Sequence, residues 1–444
     1  MRFIGIALVL LSIPAFIVLL KGRPDRLKYA AYAIGFLPLS AGFVNFDASL
    51  LNYAMWPGHT KGMLITLLDS IALAIVVTYG FKPGSKPLFG LLCLYTAAAF
   101  VSVFFANAIL TSFFYVFQLI RVCLIFLAVV VLLQQAGSRR WLTLGLASGA
   151  ILQFAFTLSQ KLGGAVQASG TAGHQNLLGV MLHFATIPLL AMVLGGDRRK
   201  LILVGAFAGL GAAAFTASRA TIGFVGIGAI VLIVLLLIRG DTPTKLRAIG
   251  LGVLGAAMVV PLAISSLSGR FDINESTGDE ERAKYDAAAH AMWNDNPMGV
   301  GANFFVVEAN TGEYYSRAGI SAFGVNRSGT VHNVYLLIAA ETGWLGVATF
   351  IALLATAISG GIVYAFRHRG APDGMFVLGC AVALLTMALH AMYEWIIVYY
   401  NVQCLMAIAL GGVAAGLSRK GATATTQARA PTARYHAVVG EVMR

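Results

Sequence analysis

The sequence predicts an all-α integral membrane protein, a bundle of about 12–13 transmembrane helices with one large polar loop that contains a short helix. Three observations predict it. Of 444 residues, 59% are apolar and only 11% are charged, against roughly 45–50% and 25% in soluble domains. The mean hydropathy is +0.82. Apolar stretches near the ~20 residues that a crossing helix needs recur along the chain, separated by short polar breaks. This composition excludes an ordinary soluble enzyme, a disordered protein and a free nucleic-acid binder. The net charge of +13 then asks which side of a bilayer holds the basic residues, and implies no nucleic-acid partner.

Taken in order, the expected spans are 4–20, 29–45, 63–80, 87–107, 112–133, 141–159, 177–195, 201–216, 221–238, 248–266, 335–366, 374–399 and 402–417. The first apolar run is followed by the bases Lys21, Arg23, Arg26 and Lys28. A secretory signal has the opposite order, so this run reads as a retained helix. From Leu201 to Ile238 the chain is almost uniformly apolar for 38 residues. As one helix it would be about 57 Å long, nearly twice the hydrocarbon core. It must turn back at its only polar cluster, Thr216-Ala217-Ser218-Arg219, which sets Arg219 in a tight hairpin near one membrane face. Cys93, Cys123, Cys380 and Cys404 all lie in apolar stretches and read as small buried hydrophobes, with no disulfide or metal site implied.

Alternate breaks, at 21–28, 82–86, 139–140, 198–200, 239–247, 367–369 and 419–444, hold 21 of the 31 basic residues. This asymmetry makes them cytoplasmic. The long break at 267–331 then faces outward, and 13 spans put the N-terminus outside. The expected organisation is an N-terminal bundle over 1–266, an outward-facing loop over 267–331, C-terminal transmembrane helices over 332–420 and a disordered cytoplasmic tail over 421–444, rich in Ala, Thr and Arg.

The outer loop carries nine acidic and five basic residues, so it is no general anion trap. Within it, 281–293 reads as a helix capped by Thr277 or Asp279. Arg282, Asp286, Ala289 and Trp293 share one helical face. Asn296-Pro297 ends the helix and 298–301 forms a turn.

There is no Walker-type phosphate loop, HExxH or Cys/His metal spacing. Each ionisable residue within a span is a candidate for function. Arg121, in mid-span, faces either a water cavity or a structural partner such as backbone carbonyls, Asp69 or Glu394. His390 and Glu394, four residues apart, would share a helix face as a proton-relay pair or as a structural hydrogen-bonded pair. His332 opens the span after the loop, Tyr335 lies one turn on, and Glu341 lies two to three turns deeper. A lone interfacial histidine is ordinarily a solvated anchor.

Several segments in combination change that reading. They are Gly170-Thr-Ala-Gly-His174-Gln-Asn176-Leu, Phe215-Thr-Ala-Ser218-Arg219-Ala, Glu281-Arg282, Asn296-Pro-Met-Gly-Val-Gly301, and His332-Asn333-Val-Tyr335-Leu with Glu341-Thr-Gly-Trp-Leu-Gly346. In this order, over about Gly170 to Phe366, the chain resembles the O-antigen ligase family, which also includes Wzy-type polysaccharide polymerases. The resemblance implies a GT-C-like glycosyltransferase at the periplasmic face of the bacterial inner membrane. It implies a glycan donor on undecaprenyl pyrophosphate and, as acceptor, the lipid A core or a growing polysaccharide. Membrane lipids and other polysaccharide assembly proteins are the further partners. It implies no metal, no nucleotide and no other cofactor. The family's arginines match Arg219 and Arg282, and its histidine matches His332.

Elementary chemistry agrees with that assignment. The outer side of the membrane has no nucleotide pool, so an activated donor arrives on a lipid. Guanidinium groups suit a pyrophosphate leaving group, because they bind phosphate oxygens bidentately. A sugar hydroxyl is a weak nucleophile, and histidine is the base that needs least tuning near neutrality. The expected site is therefore His332 as catalytic base with Arg219 and Arg282 on the pyrophosphate, giving direct displacement with inversion. Tyr335, Asn333, Glu341 and Trp293 are expected to position the base or the acceptor, with interfacial anchoring the alternative for Tyr335 and Trp293. Arg317 and Arg327 are lesser phosphate candidates, with solvated loop arginines the preferred alternative; Arg121 is a further lesser site candidate, and the segment holding His174 and Asn176 has no derivable role. Two other readings remain: a transporter or flippase of polysaccharide precursors, and a structural partner in an assembly complex. Within the transferase reading, the sequence alone does not separate ligase from polymerase.

Overall fold

The computed structural model describes residues 2–40, 47–268, 276–322 and 325–418. The tail beyond Ser418, and Arg270 in the loop, lie outside the described residues. Among the described residues the chain is all-α apart from one small hairpin. The helices are α1 (Arg2–Leu20), α2 (Leu27–Phe36), α3 (Leu67–Tyr79), α4 (Lys86–Ser102), α5 (Ile109–Leu133), α6 (Ser138–Leu162), α7 (Gln175–Leu194), α8 (Lys200–Phe215), α9 (Arg219–Arg239), α10 (Thr242–Ser268), α11 (Ser276–Asp295), α12 (Phe305–Thr311), α13 (Tyr314–Arg317), α14 (Val334–Arg367), α15 (Gly374–His390) and α16 (Tyr400–Ser418). Nine of these are long and apolar enough to cross a membrane, and α3, α8 and α15 are apolar but shorter.

The helices differ sharply in how much of their surface other helices cover. The crossing segments of α7, α16 and α5 are 94%, 83% and 78% buried within the protein. Those of α1 and α10 are 17% and 11% buried, so their exposed Leu, Val, Ile and Met side chains face lipid. At the centre, α7 packs against α8, α15 and α9, and α5 against α3 and α16. Small residues permit close approach. A Cβ on Gly379 of α15 would lie 2.5 Å from the backbone of Pro188 in α7.

The sequence reading treats 29–45 and 63–80 as plain spans. Within the described residues, α2 ends at Phe36 and a 3-10 turn follows over Leu37–Ser40, and an antiparallel hairpin lies ahead of α3, with β1 (Asp47–Asn52) paired to β2 (Gly62–Thr66). Thr66 and Asp69 form a reciprocal capping box where β2 passes into α3. The turn at 216–219 is as expected. Helix α8 ends at Phe215, Ala217 takes a left-handed φ of 47°, and the buried Ser218 caps α9 by accepting from Thr221 N–H.

The span expected over 335–366 is interrupted. Gly343 sits within α14 at φ 65°, ψ −162°, a conformation open only to glycine. The backbone groups freed by the break must find partners inside the protein. The turn after α11 supplies them. Trp344 N–H donates to Pro297 C=O at 3.0 Å, while Val300 and Gly301 N–H donate to the carbonyls of Ala340 and Glu341 at 3.0 and 2.9 Å. The polar loop is thereby fastened to the bundle at mid-helix.

A second correction concerns 374–399, expected as one helix. Helix α15 ends at His390, and 391–395 is a turn. His390 and Glu394 therefore do not share a helix face, and they bond to different partners.

Candidate active site

One face of the bundle gathers the polar segments. Ala168 N–H, just before α7, donates to Phe215 C=O at the α8–α9 turn (3.1 Å), and Val334 N–H donates to Ala391 C=O after α15 (2.9 Å). Two glutamines of α6 hold the 168–171 segment. Gln160 Oε1 accepts from the N–H groups of Ser169 and Gly170, and Gln153 Oε1 accepts from Thr171 N–H. The start of α7, the α8–α9 turn, the end of α15 and the start of α14 thus meet at one face.

His332 lies at that meeting point, directly before the cap of α14. Asn333 Oδ1 accepts from Tyr335 and Leu336 N–H at 3.0 and 3.2 Å, which fixes where the helix begins. The His332 side chain is 32% exposed, and its Nδ1 is 3.7 Å from Glu394 Oε2. That Nδ1 is itself buried and has no hydrogen-bond partner among the described residues. Glu394 is buried, and its Oε1 accepts from Asn176 Nδ2 at 2.5 Å. The Tyr285 ring of α11 lies 6.5 Å from that of His332, centre to centre.

Helix α11 completes this surface. Its buried stripe is Tyr285, Ala288, Ala289 and Met292, shifted from the expected face of Arg282, Asp286, Ala289 and Trp293. Arg282 is exposed and Asp286 is half-buried at the border. Desolvation raises the Asp286 carboxyl above its ordinary value, and the opposing charges of His290, His332 and Arg282 pull it back down. Asp286 therefore senses Arg282 and His332 together. Arg219 is the exposed first residue of α9. Phe224, five residues on and about 7.5 Å along the axis, stacks on His390 at 4.9 Å and lies 5.8 Å from the Tyr393 ring. Arg219 thus opens the helix that packs on the end of α15, and Arg282 lies on α11 beside Asp286.

The other expected residues are placed elsewhere or hold structure. Tyr335 Oη donates to Ala388 C=O at 2.8 Å, tying α14 to α15. The Glu341 side chain is buried at the α14 break, accepting from Asn303 N–H (2.9 Å) and Phe305 N–H (3.1 Å) and lying 3.1 Å from His59 Nε2. It holds the loop and the β-hairpin together and does not face His332. The ring of Trp293 packs 4.8 Å from that of Trp344, as an anchor of α11 against α14. Of the two readings of Arg121, the structure takes the structural one. Its Nε and Nη2 donate to Asp69 Oδ2 at 3.0 and 2.6 Å, beneath the Tyr400 ring at 3.6 Å. Arg317 pairs with Asp295 at 2.9 Å on the exposed surface and lies over Tyr314. Arg327 bonds to Ser316 Oγ and to loop carbonyls.

The acid that faces His332 escaped the sequence reading. Helical spacing groups Glu394 with His390, and the apolar residues Ile396, Ile397 and Val398 disguise the end of α15. No hydropathy signal marks that end. The ring of His390 instead meets His183 of α7, Nδ1 to Nε2, at 2.8 Å.

Fold and site together define a multi-span, all-α membrane protein with a histidine–carboxylate pair, His332 and Glu394, where α14 begins and α15 has ended. Residues 204–351, from α8 into α14, match the family model of the O-antigen ligase domain, so a third of the chain is similar to that family. That similarity supports a membrane enzyme of the ligase or polymerase type. No curated protein matches the chain.

Proposed function

We propose that the chain is a GT-C-like glycosyltransferase that moves a glycan from undecaprenyl pyrophosphate to a sugar hydroxyl, on the lipid A core or on a growing polysaccharide. The site faces the periplasm from the inner membrane. The observation that carries this reading is Nδ1 of a part-exposed His332 directed at the buried carboxylate of Glu394. A carboxylate in that position favours the tautomer with the proton on Nδ1, which leaves Nε2 to accept a proton.

The reaction is a single displacement. The acceptor oxygen attacks the anomeric carbon, and its proton passes to His332 Nε2. The bond from that carbon to the pyrophosphate oxygen breaks, and the electron pair leaves with undecaprenyl pyrophosphate. The anomeric centre inverts. Glu394 offsets the charge of the imidazolium until the proton returns to water. Arg219 and Arg282 bind the pyrophosphate and stabilise the charge that develops there, an effect on the order of a few kcal/mol in a water-poor site. Two carboxylates placed for a covalent glycosyl intermediate form no part of this scheme.

The test is donor binding. Purified protein is titrated with undecaprenyl pyrophosphate, and Arg219→Ala and Arg282→Ala are each expected to weaken binding by about tenfold or more. Product formation is expected to be insensitive to EDTA. Unchanged binding in both variants would remove the arginines from the donor site, and strong inhibition by EDTA would point to a metal.

A further inference from the structure

We infer that Asn176 is a positioning residue, whose side-chain amide aims the Glu394 carboxylate at His332, and that the His183–His390 pair braces the same joint. The inference rests on the proposed role of His332 as base.

Glu394 needs such a hold because it lies in the turn after α15 has ended, so no helical hydrogen bond fixes its backbone. The structure supplies ties from two directions. On the α14 side, Val334 N–H to Ala391 C=O and Tyr335 Oη to Ala388 C=O fasten the His332 segment to the end of α15. On the α7 side, Asn176 Nδ2 reaches Glu394 Oε1 across 218 residues of sequence. With Oε1 occupied, Oε2 is the oxygen turned to His332. Asn176 is itself set by its neighbour, since His174 Nδ1 accepts from Asn176 N–H at 3.2 Å and caps α7.

Two turns further along α7, His183 bonds His390, the last residue of α15. Both rings are fully buried. His183 Nδ1 and His390 Nε2 have no hydrogen-bond partner among the described residues. Burial of unsatisfied polar atoms is costly, and an apolar contact would join these helices more stably. A directional bond at this point instead fixes the rotation of the end of α15, and with it the turn that carries Glu394. A carboxylate able to swing away would leave His332 free to adopt the wrong tautomer.

The closing experiment is a double-mutant cycle on transfer activity, run with purified protein and a lipid-linked glycan donor. Asn176→Leu is expected to lower kcat on the order of tenfold, with KM for donor and acceptor little changed and the pH–rate profile displaced. Glu394→Gln is expected to lower kcat further. Because Asn176 acts only through Glu394, adding Asn176→Leu to Glu394→Gln is expected to cost nothing more. His390→Leu is expected to resemble Asn176→Leu, and His390→Asn, whose amide can still bond His183, to recover most of that loss. An equal loss from Asn176→Leu in both backgrounds, or an unchanged kcat and pH profile in the single variant, would overturn the inference. Full activity in His332→Ala would instead refute the underlying reading, so the two failures are distinguishable.

Discussion

Asp69→Asn removes one charge from the buried pair on α3 and α5 while keeping an oxygen where Tyr400 Oη donates, 2.8 Å from Asp69 Oδ1. Arg121 then loses a charged acceptor that takes two of its N–H groups at 3.0 and 2.6 Å. It stays beneath the Tyr400 ring at 3.6 Å, with no anion to offset it. Breaking a buried ion pair from one side costs about 3–5 kcal/mol, which is about two to four orders of magnitude in the folded population. Thermal unfolding in detergent, followed by tryptophan fluorescence, is expected to show a large fall in Tm. Removing both charges is far milder, because neither is left uncompensated. Asp69→Asn with Arg121→Met, which keeps an amide oxygen for Thr66 N–H in the capping box, is therefore expected to recover most of the stability and also the transferase activity. A single variant as stable as the wild type would refute the energetic reasoning. A stable double variant that makes no product would place Arg121 on the substrate and refute its structural role.

Two further outcomes follow from the geometry of the loop. Gly343→Ala forces a side chain into a conformation costing on the order of 1–3 kcal/mol, and its Cβ would lie 2.4 Å from Pro297 O; Tm is expected to drop and protease cleavage within 296–305 to accelerate, and unchanged values would contradict the fastening role of the break. Asp286 gives a pH effect of defined sign. Its folded-state carboxyl titrates above the ordinary value, so its stabilising contribution is full below that value, near 4, and is lost as pH rises through the folded one. The Tm of Asp286→Asn is expected to gain on the wild type as pH rises from about 4 to 6, and a constant difference would refute the assignment.

Much of the fold was legible because hydropathy and length constrain membrane helices strongly. The α8–α9 turn is the clearest case, since 38 apolar residues cannot form one span and only 216–219 offers a polar turn. Asp69 was among the partners expected for Arg121, because a buried cation requires an anion and few were available. Other features leave no such trace. The β-hairpin has only a short polar interval between two apolar runs. The break at Gly343 is set by a loop whose turn, 296–301, approaches from more than 40 residues earlier in the chain. Within the candidate site, Arg282 and His332 both act on Asp286, and Arg219 opens α9 at the expected turn. Their supporting residues do not follow from periodicity. Glu394 depends on where α15 stops, and Asn176 and His183 reach their partners through tertiary packing alone. Glu341 and Tyr335 belong to the expected segment yet serve to tie elements together.

The most direct measurement is transfer by the purified protein in detergent or lipid nanodiscs, supplied with a lipid-linked glycan and a sugar acceptor and read as product per folded protein. His332→Ala is expected to abolish product, by a factor of about 10² or more for loss of a general base, while donor binding and Tm remain near those of the wild type. Product formed by His332→Ala at the wild-type rate would contradict the assignment of His332 as the base.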